Sequence, residues 1–104
     1  MSLNKQITST VTDAGKLEIA ITESERPIPG DDEVLIQIEA TPINPSDLGL
    51  LIGPGDINTL KAEDSKIIMD VPKAIMGAMK PRLNKPMPVG NEGSGVVIEA
   101  GANA

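Results

Sequence analysis

Not one of the 104 residues is Phe, Tyr or Trp, and this constrains the fold more than any other feature of the sequence. A core without aromatics gives up the roughly 150–250 Å² that each ring would bury. It must be built from Ile, Leu, Val, Met and Ala, the residues that make up the 39% apolar fraction. A chain of this length forms one domain and is too short for two, so a single modest core of marginal stability is expected.

Cysteine and histidine are missing as well. Disulfides, thiolate nucleophiles, an imidazole base and the usual zinc ligands are thereby excluded, and no metal site is expected. The formal charge of −6 argues against a nucleic-acid partner, since a phosphate-backbone binder needs clustered Lys and Arg. Met1 to Thr10 lacks the apolar core of a secretory signal, and nowhere do about 18 apolar residues run together. The sequence reads as cytoplasmic, with no membrane partner.

Two β-branched runs, Gln6 to Thr12 and Lys16 to Thr22, flank Asp13-Ala14-Gly15 and predict a hairpin. Pro27, Pro29 and Gly30 interrupt regular structure, and Asp31, Asp32 and Glu33 mark an exposed loop. Val34 to Ala40 alternates, with Val34, Ile36, Ile38 and Ala40 on one face, which predicts a half-buried strand. It stops at Thr41-Pro42. Ser46 or Asp47 is then placed to cap a short helix over Leu48 to Ile52, ended by Gly53-Pro54-Gly55.

From Asp56 to Pro88 the balance is +2, against −8 for the rest of the chain. A polar loop to about Ser65, a short strand over Lys66 to Asp70 and an Asp70-capped helix over Val71 to Lys80 are expected, Pro72 being tolerated in the first turn. Val71, Ile75, Met76 and Met79 form its apolar stripe. Lys73, Lys80, Arg82 and Lys85 read as a solvated face, with an anionic ligand as the alternative. Pro81, Pro86 and Pro88 enclose a last loop. Val96 to Ala100 predicts a final strand after Gly90, Gly93 and Gly95, whose spacing is not Gly-x-Gly-x-x-Gly and which precede a strand rather than a helix. The composition and element order suggest a mainly β fold, a small, partly open barrel with one or two short helices.

Two segments carry more. RPIPGDDEVLIQIEATPINPSD, from Arg26 to Asp47, and PMPVGNEGSGVVIEAGANA, from Pro86 to Ala104, resemble successive landmarks of the medium-chain dehydrogenase/reductase superfamily. The resemblance implies that residues 1–104 are its amino-terminal, GroES-like domain. It also implies a Rossmann domain as partner, and that domain would supply most of the NAD(P)H site.

In the zinc-dependent branch the position of Asn44 is usually Cys and that of Asn91 usually His, so the chain is similar to the zinc-independent quinone oxidoreductases and 2-enoyl thioester reductases. The latter usually place a Tyr near the position of Gly55, and this chain has none. The resemblance nominates Asn44, Ser46 and Asp47 as catalytic orienting groups, and Asn44 and Asn91 as cofactor-binding residues, with no metal. For Asn44 and Asp47 helix capping is the competing role, and both can hold. Glu92 reads as a support for the glycine turn.

The expected function is the substrate side of a zinc-independent NAD(P)H-dependent oxidoreductase acting on a small quinone-like or activated carbonyl compound, inactive by itself. Alternatively, the chain is a stand-alone GroES-like binding or assembly module. A homodimer is a further candidate assembly.

Overall fold

β-Branched runs separated by turn residues become antiparallel strands here. In the computed structural model, which describes residues 3–104, β1 (Leu3–Val11) and β2 (Lys16–Glu25) form the expected hairpin, in register from Val11↔Leu17 to Leu3↔Glu25. Both strands run further than the sequence suggested. Asn84, in the left-handed region at φ 57°, holds the turn from outside. Its N–H donates to the Val11 carbonyl at 2.7 Å, and its Oδ1 accepts from the Asp13 N–H at 3.2 Å.

β3 (Val34–Ala40) has the expected bounds, and α1 (Pro45–Ile52) follows at once. The stretch expected to be a polar loop is instead β4 (Asp56–Glu63). Its charges are compatible with a strand because β4 is a sheet edge. A two-residue turn at Asp64 and Ser65 joins it to β5 (Lys66–Asp70), with Glu63 opposite Lys66.

The helix expected over Val71 to Lys80 is cut to one turn, α2 (Lys73–Met76), capped at Pro72 rather than Asp70, followed by a 3-10 stretch over Gly77–Arg82. Gly77 is a weak helix former, and Pro81 lacks the N–H that would continue the ladder. Within the last expected loop, β6 (Met87–Pro88) pairs with Thr8 and Ser9 of β1. β7 (Ser94–Ala100) completes the chain's strands.

The protein is mainly β. A five-stranded sheet of order β4-β5-β2-β1-β6 and a two-stranded sheet of β3 and β7 are both antiparallel, and together they do not close into a barrel. The core lies at the turn end of the first hairpin. Val11, Leu17, Met69 and Val71 are buried there, with Ile19, Ile52, Ile75, Met76, Met79 and Leu83 packed around them. The predicted stripe of α2 therefore does face inward, and Met69 fills volume that a ring would otherwise occupy.

The half-burial expected of β3 is not realised. Val34, Ile36 and Ile38 are 44%, 46% and 54% exposed, because an open cleft rather than a packed layer lies between the two-stranded sheet and β1. The molecule is correspondingly long, 50 × 27 × 26 Å with a radius of gyration of 16.3 Å, where a compact chain of this length would have about 13 Å. No helix of the described residues is long and apolar enough to cross a membrane.

Candidate functional site

The pairing of β3 with β7 decides where the two sequence landmarks meet. Ala40 lies opposite Ser94, so the segment leaving β3 and the segment entering β7 emerge at the same end of the sheet. Residues 41–47 and 90–93 are thereby neighbours, although some 48 positions separate Asn44 from Glu92.

Asn44 occupies the N-cap of α1, with Pro45 at the first helical position. Its backbone N–H donates to Asp47 Oδ2 at 2.9 Å, half of a capping box. Asp47 thus contributes to the cap from inside the first turn, whereas Ser46, the other residue expected to cap, is exposed on the helix surface. A carboxylate in the first turn also meets the favourable end of the helix dipole. The Asn44 amide turns the other way: Nδ2 donates to Glu92 Oε1 at 3.2 Å.

Asp47 is the one buried residue of α1. Gly90 lies beside it: its φ of 85° is a conformation natural to glycine, and a Cβ there would make an ordinary contact, 3.9 Å from the Asp47 carboxylate. Gly95 has a different reason to be glycine. Its Cβ would lie 2.0 Å from the Gln37 carbonyl oxygen, so only glycine lets β3 and β7 approach as they do.

These residues form one end of an open cleft of about 950 Å³ between the two sheets. Asp47, Asn91 and Glu92 line its polar end, and Leu3, Ile7, Ile36 and Ile38 are part of its apolar wall. Of the expected site residues, Asp47 and Asn91 are in the lining. Asn44 stands just behind it, tied to the lining residue Glu92, and Ser46 lies outside it. Glu92, expected to support the glycine turn, instead accepts from the Asn44 side chain and lines the cleft.

Arg26, from the first landmark, lines the cleft as well, its guanidinium 2.9 Å from Glu99. The wall from β1 was not legible in the sequence, because nothing local to Leu3 or Ile7 says that they face β3.

Chemically, the polar end offers the Asn91 amide, which both donates and accepts, and two carboxylates. The Asn91 amide can hydrogen-bond a carbonyl or a carboxamide. The cations of the lining are Arg26, paired with Glu99, and Lys5, which lies between Leu3 and Ile7 on β1 and is 4.0 Å from Glu23; Asp47 occupies the N-terminus of α1, and the described residues contain no glycine-rich turn leading from strand to helix. No group of three or more Asp, Glu, His or Cys is placed to hold a metal among the described residues.

The basic face behaves unevenly. Lys73, Lys80 and Lys85 are exposed, but Arg82 reaches inward and donates to the Ser9 carbonyl at 3.3 Å and to Ser9 Oγ at 3.2 Å. Desolvation lowers its pKa below the usual arginine value, and its Nε is buried without a partner. Ser9 Oγ in turn donates to the Leu51 carbonyl at 3.0 Å, joining β1 to α1. No family model matches the sequence, and no characterised protein matches it closely enough to count as a relative.

Proposed function

We propose that the chain is the GroES-like, substrate-side domain of a zinc-independent NAD(P)H-dependent oxidoreductase that reduces a small quinone-like or activated carbonyl compound. One observation carries this reading: the Asn-Pro-Ser-Asp and Gly-Asn-Glu-Gly segments, which resemble the landmarks of that superfamily, converge at the polar end of a single cleft through the Asn44–Glu92 contact.

In this reading the cofactor supplies the hydride when bound, and a separate nucleotide-binding domain holds its phosphates. The chain's own residues position the partners. The Asn91 amide hydrogen-bonds a carbonyl oxygen or the carboxamide, where a positioned donor stabilises developing negative charge. Asn44 and Asp47 fix the helix start, and Asn44 steadies Glu92, so that the carboxylates stay clear of the reacting carbonyl. The apolar wall offers a surface for the carbon skeleton of the substrate.

Amide-shift mapping of the isotopically labelled chain tests the assignment, with a neutral quinone and with reduced nicotinamide mononucleotide as probes. Shifts confined to the cleft lining, residues 41–48 and 89–93 with the wall residues 3–7, 35–38 and Ile98, are expected. Shifts elsewhere, or none with either probe, refute it. The alternative of a binding or assembly module is favoured by the exposed apolar β3–β7 sheet, and light scattering that shows a closed ring would establish it.

A further inference from the structure

The chain passes between the β3–β7 sheet and the rest of the molecule three times, through residues 26–29, 41–43 and 89–93. Among the described residues, none of these makes a main-chain hydrogen bond beyond the strand ladders. Pro27, Pro29 and Pro42 have no N–H to give, and Gly90 and Gly93 bring backbone freedom to the third crossing. Residues 31 and 33 belong instead with the two-stranded sheet: the Glu33 carbonyl accepts from the Gly101 N–H and the Asp31 carbonyl from the Asn103 N–H, both at 2.8 Å.

Side chains add little restraint. Among the described residues, the one side-chain bond that reaches β3 or β7 from outside that sheet is Arg26 on Glu99, and an ion pair as exposed as this one holds weakly. Asn44 on Glu92 ties α1 to the third crossing, not to the sheet itself. Meanwhile Leu3 and Ile7 on β1 and Ile36, Ile38 and Ile98 on the two-stranded sheet are each about half exposed, and all five line the open cleft between them.

We propose that the β3–β7 sheet is a hinged flap that swings onto β1 and closes the cleft, with the three crossings as the hinge. Hinge motion of this kind is absorbed by a few loop residues between rigid elements, and here the rigid elements are the β3–β7 ladder on one side and the five-stranded sheet with its helices on the other. The inference is independent of the reductase reading. In that reading, closure has a use: it shields the Asn91 end of the cleft from water.

The driving force is the apolar area of the two walls. At roughly 90 Å² per aliphatic side chain, five half-exposed residues hold about 220 Å² that closure removes from water, as much as burying two further aliphatic side chains completely. The shape of the molecule leaves room for the movement. Its radius of gyration of 16.3 Å exceeds the value of about 13 Å for a compact chain of this length, and the cleft of about 950 Å³ is the space into which the flap moves.

Ile7→Cys combined with Ile38→Cys tests the closure in a chain that has no other thiol. Both positions are about half exposed, so the fold should tolerate the replacements, and far-UV circular dichroism checks that it does; Leu3→Cys with Ile36→Cys is a second pair that does not depend on the first. Under mild oxidation in dilute solution each pair should form a disulfide within one chain, which requires the two Cα atoms to come within about 7 Å. Ser65→Cys, in the β4–β5 turn, combined with Ile38→Cys should not. Small-angle scattering should show the radius of gyration falling from the reduced to the oxidised form, toward about 13 Å. Folded pairs that form no intrachain disulfide, a disulfide that leaves the radius unchanged, or equal cross-linking of the Ser65→Cys control overturns the proposal.

Discussion

Leu17 and Ile21 lie four positions apart on β2, on the same strand and the same sheet, yet Leu17 is fully buried and Ile21 is 65% exposed. Truncating each to Ala tests whether the core is confined to one end of the molecule. Leu17→Ala removes three carbons at about 0.8 kcal/mol each, and the cavity left among Val11, Met69 and Val71 raises the loss to about 3–4 kcal/mol. A small domain with so few buried residues has a total stability of about 5 kcal/mol, near the low end for its length. Most of the folding free energy would go.

Ile21→Ala should cost about 0.5 kcal/mol or less, as for other surface substitutions. With no aromatic residue there is no intrinsic fluorophore, so urea unfolding must be followed by far-UV circular dichroism. At a urea slope of about 1–2 kcal/mol per molar for a chain of this size, the Leu17→Ala midpoint should fall by roughly 2 M, and that of Ile21→Ala should barely move. Equal losses at the two sites would refute the reasoning, because they would mean that β2 is covered along its whole length.

Gly95→Ala should separate β3 from β7, since the added carbon would collide with the Gln37 backbone; hydrogen exchange at residues 34–40 is expected to rise to the unprotected rate, and retained protection would refute the close approach. If Asn44 acts at the cleft, Asn44→Ala in the chain paired with its nucleotide-binding domain should lower turnover by roughly ten- to a thousandfold, whereas a pure cap would cost about 1 kcal/mol of stability and leave the rate unchanged. The Lys66 ammonium, hydrogen-bonded to Glu18, titrates above its ordinary 10.5. On the alkaline side its contribution to stability is thus lost only as pH rises through the raised value, so above neutral pH the difference in urea midpoint between wild type and Lys66→Met should persist until strong alkali; a loss already near neutrality would contradict the sign. Elemental analysis of untagged protein should find no stoichiometric zinc, and one zinc per chain would end the zinc-independent assignment.

Local pattern was enough for the elements whose cause is local. The first hairpin, β3 and β7 follow from period-two alternation and turn residues, as does the end of the short helix at Ile52, though that helix starts at Pro45 rather than the expected Leu48. β4 was hidden because an edge strand needs apolar residues on neither face, and a polar sequence with no clear period reads as a loop. The shortened α2 reflects Gly77 and Pro81 outweighing an apolar stripe of helical spacing.

The candidate site divides the same way. Asn44, Asp47, Asn91 and Glu92 were nominated by two short motifs. That they meet was not, because it depends on Ala40 lying opposite Ser94, a pairing across more than fifty residues that no local preference specifies. Burial was the least legible of all. Ile36 in β3 and Leu17 in β2 both occupy apolar positions of alternating strands, yet one is 46% exposed and the other fully buried. Sequence determines which face of a strand is apolar; only the tertiary structure decides whether another layer comes to cover it, because hydrophobic burial is a property of two surfaces and a strand carries just one of them.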